Sequence, residues 1–259
     1  DLPQDLKELV FKSQNAIQKS GWGANFLENH DQPRSLSKYI TDKRYQNEIG
    51  AKALGTMFFF LRGTPFIYQG QEIGMKNFQR ESIEDFNDVS SIDNYHRSLL
   101  EGFSKEEALN FVNQRSRDNT RTPFSWNATA NAGFSKSNES WLKLTGDQAE
   151  VNAADQINRS DSVFSHYQQM IHLRNHSEYR DTLIYGQFVP LNTADAVIAY
   201  ERVGKETVQV FVNLSNQEQE IKTSGEVLLN NYHELKEQAG MKVLQSYQAV
   251  VIRKDENHD

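Results

Sequence analysis

FLENHDQPRSLSKY, residues 26–39, runs from two apolar residues into Glu28-Asn29-His30-Asp31 and then breaks at Pro33-Arg34. An apolar run that empties into a polar cluster and a proline reads as a buried strand ending in a loop. In α/β folds that edge is where binding and catalytic groups stand. Taken alone, the Asn-His-Asp tripeptide also fits a plain capped loop in which Asn29 and Asp31 satisfy turn hydrogen bonds. The surrounding chain decides between the two.

Upstream, residues 5–19 carry apolar positions at Leu6, Leu9, Val10 and Ile17, a helical spacing stopped by Gly21. Residues 24–27 then read as a short strand. Downstream, 44–62 (RYQNEIGAKALGTMFFFLR) predicts a strongly apolar helix ended by Gly63, with Met57-Phe58-Phe59-Phe60-Leu61 as core packing. The segment TPFIYQGQEIGM, 64–75, repeats the first grammar: Phe66-Ile67-Tyr68 as a strand, then a glycine-rich polar turn. Helix, strand, helix, strand argues for parallel strands with crossover helices, in a barrel or an open doubly wound sheet. Two strands complete neither.

From 78 to 160 the pattern weakens. Residues 91–101 and 104–117 predict short helices, the second with a capping box from Ser104 to Glu107. Residues 118–144 read as an ordered, aromatic-bearing loop, too long for a plain connector and therefore of functional interest. Residues 161–176 predict an amphipathic helix with a stripe of Val163, Phe164, Tyr167, Met170 and Ile171, Leu173 at its margin. After 178 the period becomes that of strands: 182–191, 196–203, 207–215, 226–231 and 242–254, with no helix pattern between them. This predicts a separate antiparallel sandwich over 178–259, its tail DENHD frayed, after an α/β portion over 1–177.

The 259 residues carry a formal charge of −7, which leaves no basic surplus for nucleic acid or for polybasic membrane targeting. No run approaches the apolar length of a membrane span, and DLPQDLKELV at the start lacks a signal-peptide h-region. Without cysteine there is neither a disulfide nor thiolate chemistry, and the expected compartment is the cytoplasm. His172 and His176 share a helical face, but no H-E-x-x-H pattern accompanies them and His166 stands six residues away. The expectation is a solvated or packed helix face, with no metal and no cofactor.

NHDQPR at the end of a strand, GTPFIYQGQEIGM one helix later, SRDNTRTPFSWN in the long loop and a terminal β-domain together resemble the C-terminal half of an α-amylase-superfamily α-glucosidase. The similarity is to the oligo-1,6-glucosidase, dextran glucosidase and trehalose-6-phosphate hydrolase group, and it runs almost from end to end. The resemblance implies strands seven (24–28) and eight (65–69) of a (β/α)8 barrel, followed by an antiparallel β-domain.

It also implies a chemistry. Retaining α-glucosidases use a carboxylate nucleophile and a carboxylic acid roughly 5–5.5 Å apart. The family draws these from strands four and five, which are not in this chain. Asp31 matches a third family carboxylate, which binds sugar hydroxyls more strongly as the ring flattens toward an oxocarbenium ion. His30 matches the neighbouring histidine that donates to the same hydroxyl region. Arg117 matches an arginine at the non-reducing end of the first glucose site, and Arg34 is a candidate subsite residue. From spacing alone, Glu72 could pair with Asp31 as acid and base, but the family takes no proton donor from the strand-eight turn, so a turn role is expected. Gln71 stands where many relatives are acidic, and Ser90 where oligo-1,6-glucosidases place a glutamate facing the leaving-group sugar.

The implied function is part of a retaining, exo-acting α-glucosidase on short α-glucans, α-1,6-linked in preference. Trehalose-6-phosphate hydrolysis and α-1,4 cleavage are the alternatives within the family. A non-catalytic amylase-like scaffold is the alternative outside it, and it predicts loss of the sugar-contacting residues that are retained here. The chain alone is expected to be inactive, its partners being an α-glucoside and either the other barrel half or a second copy of itself.

Overall fold

The computed structural model describes residues 3–137 and 139–255. Residue 138 of the aromatic loop and the last four residues of the tail lie outside the described residues. In chain order the helices are α1 (Pro3–Ile17), α2 (Ser35–Tyr39), α3 (Glu48–Phe59), α4 (Val89–Leu100), α5 (Lys105–Arg115), α6 (Ala153–Gln156), α7 (Val163–His176) and α8 (Arg180–Tyr185). The strands are β1 (Ala24–Asn25), β2 (Thr64–Pro65), β3 (Gln187–Pro190), β4 (Val197–Val203), β5 (Thr207–Asn213), β6 (Gln219–Ile221), β7 (Gly225–Asn230), β8 (Lys236–Gln238), β9 (Met241–Leu244) and β10 (Ala249–Lys254). They gather into two compact units that interleave along the sequence, and none of their four boundaries falls at the expected 177/178.

The first unit comprises Asp1–Phe26, Tyr39–Phe66 and Ser165–Asp259. Here β1 and β2 pair in parallel, Ala24 opposite Thr64 and Asn25 opposite Pro65. These strands are shorter than the expected 24–28 and 65–69. Gln14 of α1 holds their approach, accepting from Arg62 N at 2.9 Å and donating to Arg62 O at 3.1 Å. Gly63 must be glycine: its φ is +133°, and a Cβ there would lie 2.5 Å from Gly23 O.

The apolar helix expected over 44–62 is a 3-10 turn at Lys43–Tyr45 followed by α3, capped by Asn47. Every residue from Met57 to Leu61 is buried. The C-terminal sheets are antiparallel, in the orders β3-β4-β5-β10-β7 and β6-β9-β8. Val197, Ala199, Phe211, Val250 and Ile252 of the larger sheet pack on Ile221 and Leu244 of the smaller. The other face of the larger sheet meets α3, where Tyr200 donates to Met57 O at 2.9 Å. With both faces covered, β4, β5 and β10 read as near-continuous apolar runs. The sandwich therefore does not stand apart, because one of its sheets shares a core with α3.

Residues 182–185, expected to open a strand, are the end of α8. The reason is tertiary. The buried Arg202 guanidinium donates to the carbonyls of Leu183, Ile184 and Gly186, and also to Phe60 O at 2.7 Å. It thus satisfies the carbonyls a helix end leaves open.

The second unit comprises Leu27–Lys38 and Ile67–Phe164. Its α4 and α5 form an antiparallel hairpin around Phe86, Tyr95, Ala108 and Val112, and Ser91 Oγ meets Ser116 Oγ at 2.8 Å where the helices' far ends close. The capping box at Ser104 and Glu107 is present. A second cluster, Ile73, Met75 and Ala153, anchors the long loop through Phe124 and Val151.

Candidate functional site

The loop opened by Leu27 is closed by a buried charge pair. Glu28 accepts from Ser35 N (2.8 Å), Ser35 Oγ (2.7 Å) and Arg34 Nη1 (3.0 Å), so it caps α2 and neutralises Arg34 together. Arg34 Nη1 also donates to Gln69 O at 2.7 Å, and its guanidinium lies 5.4 Å from the centre of the Tyr68 ring. Gly70, at φ +92°, lets the strand-eight turn approach this guanidinium; a Cβ there would stand 3.0 Å from it. Arg34, a candidate subsite residue by sequence, is 1% exposed here and its guanidinium meets Glu28 and the Gln69 carbonyl.

What remains outward is Asn29 to Gln32. Asn29 Oδ1 accepts from Asp31 N at 2.8 Å, the turn bond expected of a capped loop. The Asp31 side chain stays about half exposed, with His30 Nε2 at 3.2 Å from Oδ2. Two arginines converge on its other oxygen: Arg121 Nη2 at 2.8 Å and Arg117 Nη1 at 3.5 Å. Arg121 Nε also donates to His30 O at 2.9 Å. The structure thus brings Asp31, His30 and Arg117 into one cluster, and leaves Arg34 out of it.

Arg117 is held first by a different partner. Its Nε and Nη2 reach Asp88 Oδ1 at 3.1 and 2.6 Å, and Nη2 reaches Ser90 Oγ at 3.2 Å. Burial alone would raise the Asp88 carboxyl, but hydrogen bonds from Arg117 and Ser91 bring it below its ordinary value. Asp88 in turn holds Arg117 above its ordinary value, with Asp31 adding to the effect. Asp88 and Arg121 were not singled out from sequence. Arg121 had a signal, since it lies in the same motif four residues after Arg117. Asp88 had only its place before α4.

Beneath the arginines the SRDN turn is fixed by buried groups. Asp118 Oδ2 accepts from Asn87 N and Asp88 N at 2.7 and 3.0 Å. Arg80, 1% exposed and lowered by desolvation, donates to Asn119 Oδ1 (3.0 Å) and Asp118 O (3.2 Å). Glu72 closes its own turn, accepting from Gly70 N at 2.8 Å, and burial raises its carboxyl. Among the described residues no group of three His, Asp and Glu side chains could hold a metal, and no helix is long and apolar enough to cross a membrane.

A carboxylate flanked by two guanidiniums and an imidazole can bind hydroxyl groups through several fixed donors and acceptors.

Residues 2–186 match the family model described as alpha amylase, catalytic domain, and the chain belongs to that family. It is the C-terminal part of a (β/α)8 barrel, with β1 and β2 as strands seven and eight, followed by an antiparallel β-region. It is 40% identical over 222 residues to the glucan 1,6-alpha-glucosidase of Streptococcus dysgalactiae subsp. equisimilis, covering 85% of this chain and 40% of that protein. With the oligo-1,6-glucosidase of Bacillus cereus it shares 33% identity over 258 residues, 96% of this chain and 45% of that one. The Bacillus licheniformis trehalose-6-phosphate hydrolase structure superposes with a TM-score of 0.89 at 32% identity, over 98% of this chain and 47% of the other. Isomaltulose synthase from Klebsiella sp. LX3 gives 0.88 at 33% identity, over 97% and 46%. The chain therefore spans less than half the length of the relatives it matches.

Proposed function

We propose that this chain forms the strand-seven side of the active site of a retaining, exo-acting α-glucosidase, with short α-1,6-linked glucans as its preferred substrates. The single observation that carries the proposal is the convergence of His30, Arg117 and Arg121 on the exposed carboxylate of Asp31. A scaffold relative has no need to keep such a cluster open. The α-1,6 preference is supported by the names of the relatives, glucan 1,6-alpha-glucosidase and oligo-1,6-glucosidase. Nucleophile and general acid come from the remainder of the longer protein.

In this reading Asp31 accepts hydrogen bonds from ring hydroxyls, and these strengthen as positive charge develops on the sugar. That is selective binding of the transition state. His30 donates to the same hydroxyl region. The two arginines hold and aim the Asp31 carboxylate, and Arg117, itself fixed by Asp88, orients the non-reducing end.

In the full-length parent, Asp31→Asn is expected to lower kcat on an α-glucoside by about 10²–10³-fold with the fold intact. Arg117→Ala is expected to raise KM, and the isolated chain to show no turnover. An Asp31→Asn parent with near-wild-type kcat/KM sinks the reading.

A further inference from the structure

The inner face of the larger sheet is apolar along most of its length and then turns polar. Alternate residues share one face of a strand, so Glu201 continues the row of Val197 and Ala199 in β4. Gln209 likewise continues the row of Phe211 in β5, and Lys254 that of Val250 and Ile252 in β10. Glu201 stands directly opposite Gln209 across the two strands. The three line a cleft of about 560 Å³, walled also by Lys222 and Thr223 from the connection between β6 and β7. That volume lies within the roughly 300–1,000 Å³ usual for small-molecule sites. A solvated sheet rim would leave such side chains exposed, yet Gln209 is 4% exposed and the Glu201 side chain 12%.

A relay of hydrogen bonds fixes these groups. Thr223 Oγ1 donates to Gln209 Oε1 at 2.6 Å, and Gln209 Nε2 donates to Glu201 Oε1 at 2.8 Å. Lys254 Nζ donates to the same carboxylate oxygen at 3.0 Å. Both donors fall on Oε1, so Glu201 Oε2 is left without a hydrogen-bond or ion-pair partner among the described residues. Lys222, exposed, has no such partner among them either.

We propose that this cleft binds a small polyol carrying one anionic group, a sugar acid or a sugar phosphate. The open carboxylate oxygen calls for a donor, which a hydroxyl supplies, and the open ammonium calls for an acceptor, which the anionic group supplies. A neutral sugar leaves Lys222 without a charge partner, and an anion without hydroxyls leaves Glu201 Oε2 unmet. Two lysines stand against one carboxylate in the cleft, which favours a single negative group. Phe211 gives the C–H face of the ligand an apolar floor.

Calorimetry on the full-length parent tests this, with gluconate, glucose 6-phosphate and glucose as probes. At least one of the two anions is expected to bind with a Kd below about 1 mM, and glucose about tenfold more weakly. Whichever anion binds more tightly identifies the group as a carboxylate or a phosphoryl. Lys222→Ala is expected to weaken that anion about tenfold, the effect of one lost hydrogen bond to a charged group, and to leave KM on an α-glucoside unchanged. Lys205→Ala, at an exposed residue that does not line the cleft, leaves the affinity where it was. If a thermal melt shows that Lys222→Ala fails to fold, Lys222→Gln is read in the same way. Three results overturn the proposal: no binding of either anion, glucose bound as tightly as both, or anion binding that the Lys222 variant does not move.

Discussion

The Glu28 and Arg34 side chains are each 1% exposed, and their contact is 3.0 Å. Taking two charges out of water is costly, and here the cost is offset by a hydroxyl, a backbone N–H and a carbonyl as well as by the pair itself. Removing one member strands the other. Glu28→Ala in the parent is expected to lose about 3–5 kcal/mol, with Glu28→Ala/Arg34→Met recovering part of it. Equilibrium denaturation checks both, and a loss under 1 kcal/mol for the single variant contradicts the pairing. His166 offers a second residue-scale prediction. It is 4% exposed, and desolvation, with a smaller push from Lys52, lowers it to about 3. Thr56 Oγ1 already donates to Lys52 O, so at 2.8 Å it accepts from His166 Nε2–H, which fixes the neutral tautomer. Between pH 3 and the unfolded value near 6.5 the unfolded chain binds the extra proton. Stability is therefore full above that window and falls with acidification, by at most about 1.4 kcal/mol per pH unit from this residue. A His166→Gln variant should shallow that slope, as read by denaturation across the window.

Between elements, α3 is closely fitted to α7. A Cβ on Gly55 would stand 3.0 Å from the Tyr167 ring, which is 2% exposed. Gly55→Val is expected to cost about 1–3 kcal/mol through overpacking. Thermal denaturation measures it, and a variant as stable as the wild type means that the two helices can part without loss. The face of α7 was only partly legible. Val163, Tyr167 and Met170 are buried as their spacing predicts, but Ile171 is 37% exposed, and His166 and Arg174 are buried in its stead. Arg174 is drawn inward by Gly63 O, to which its Nη2 donates at 2.7 Å. Apolar periodicity carries no record of a distant carbonyl that needs a donor.

At the scale of the molecule, β1 and β2 form a parallel sheet of only two strands, each with its other edge unpaired among the described residues. Phe26 and Phe66, the residues after them, are 51% and 55% exposed. Unpaired parallel edges with apolar neighbours invite another chain. The isolated 259-residue chain is expected to self-associate, and to protect β4, β5 and β10 from hydrogen exchange more strongly than β1. Light scattering from a monodisperse monomer, with residues 24 and 25 protected as well as the larger sheet, contradicts this.

The sequence by itself determined the alternation of helix and parallel strand, the capping box, the buried run from Met57 to Leu61 and the antiparallel C-terminal strands. Each of these is written in spacing, caps and side-chain type within a few residues. It also marked Asp31, His30 and Arg117 through motifs that match a family. Only the tertiary structure decided that Arg34 is buried, that Arg121 stands nearest Asp31, that Asp88 holds Arg117, and that residues 182–185 are helix. In each case the deciding partner lies close in space and outside any local pattern: Gln69 O for Arg34, Asp31 for Arg121, Arg117 for Asp88, and Arg202 for the end of α8. Long side chains go where an unmet charge or carbonyl awaits them, and that is a property of the folded chain.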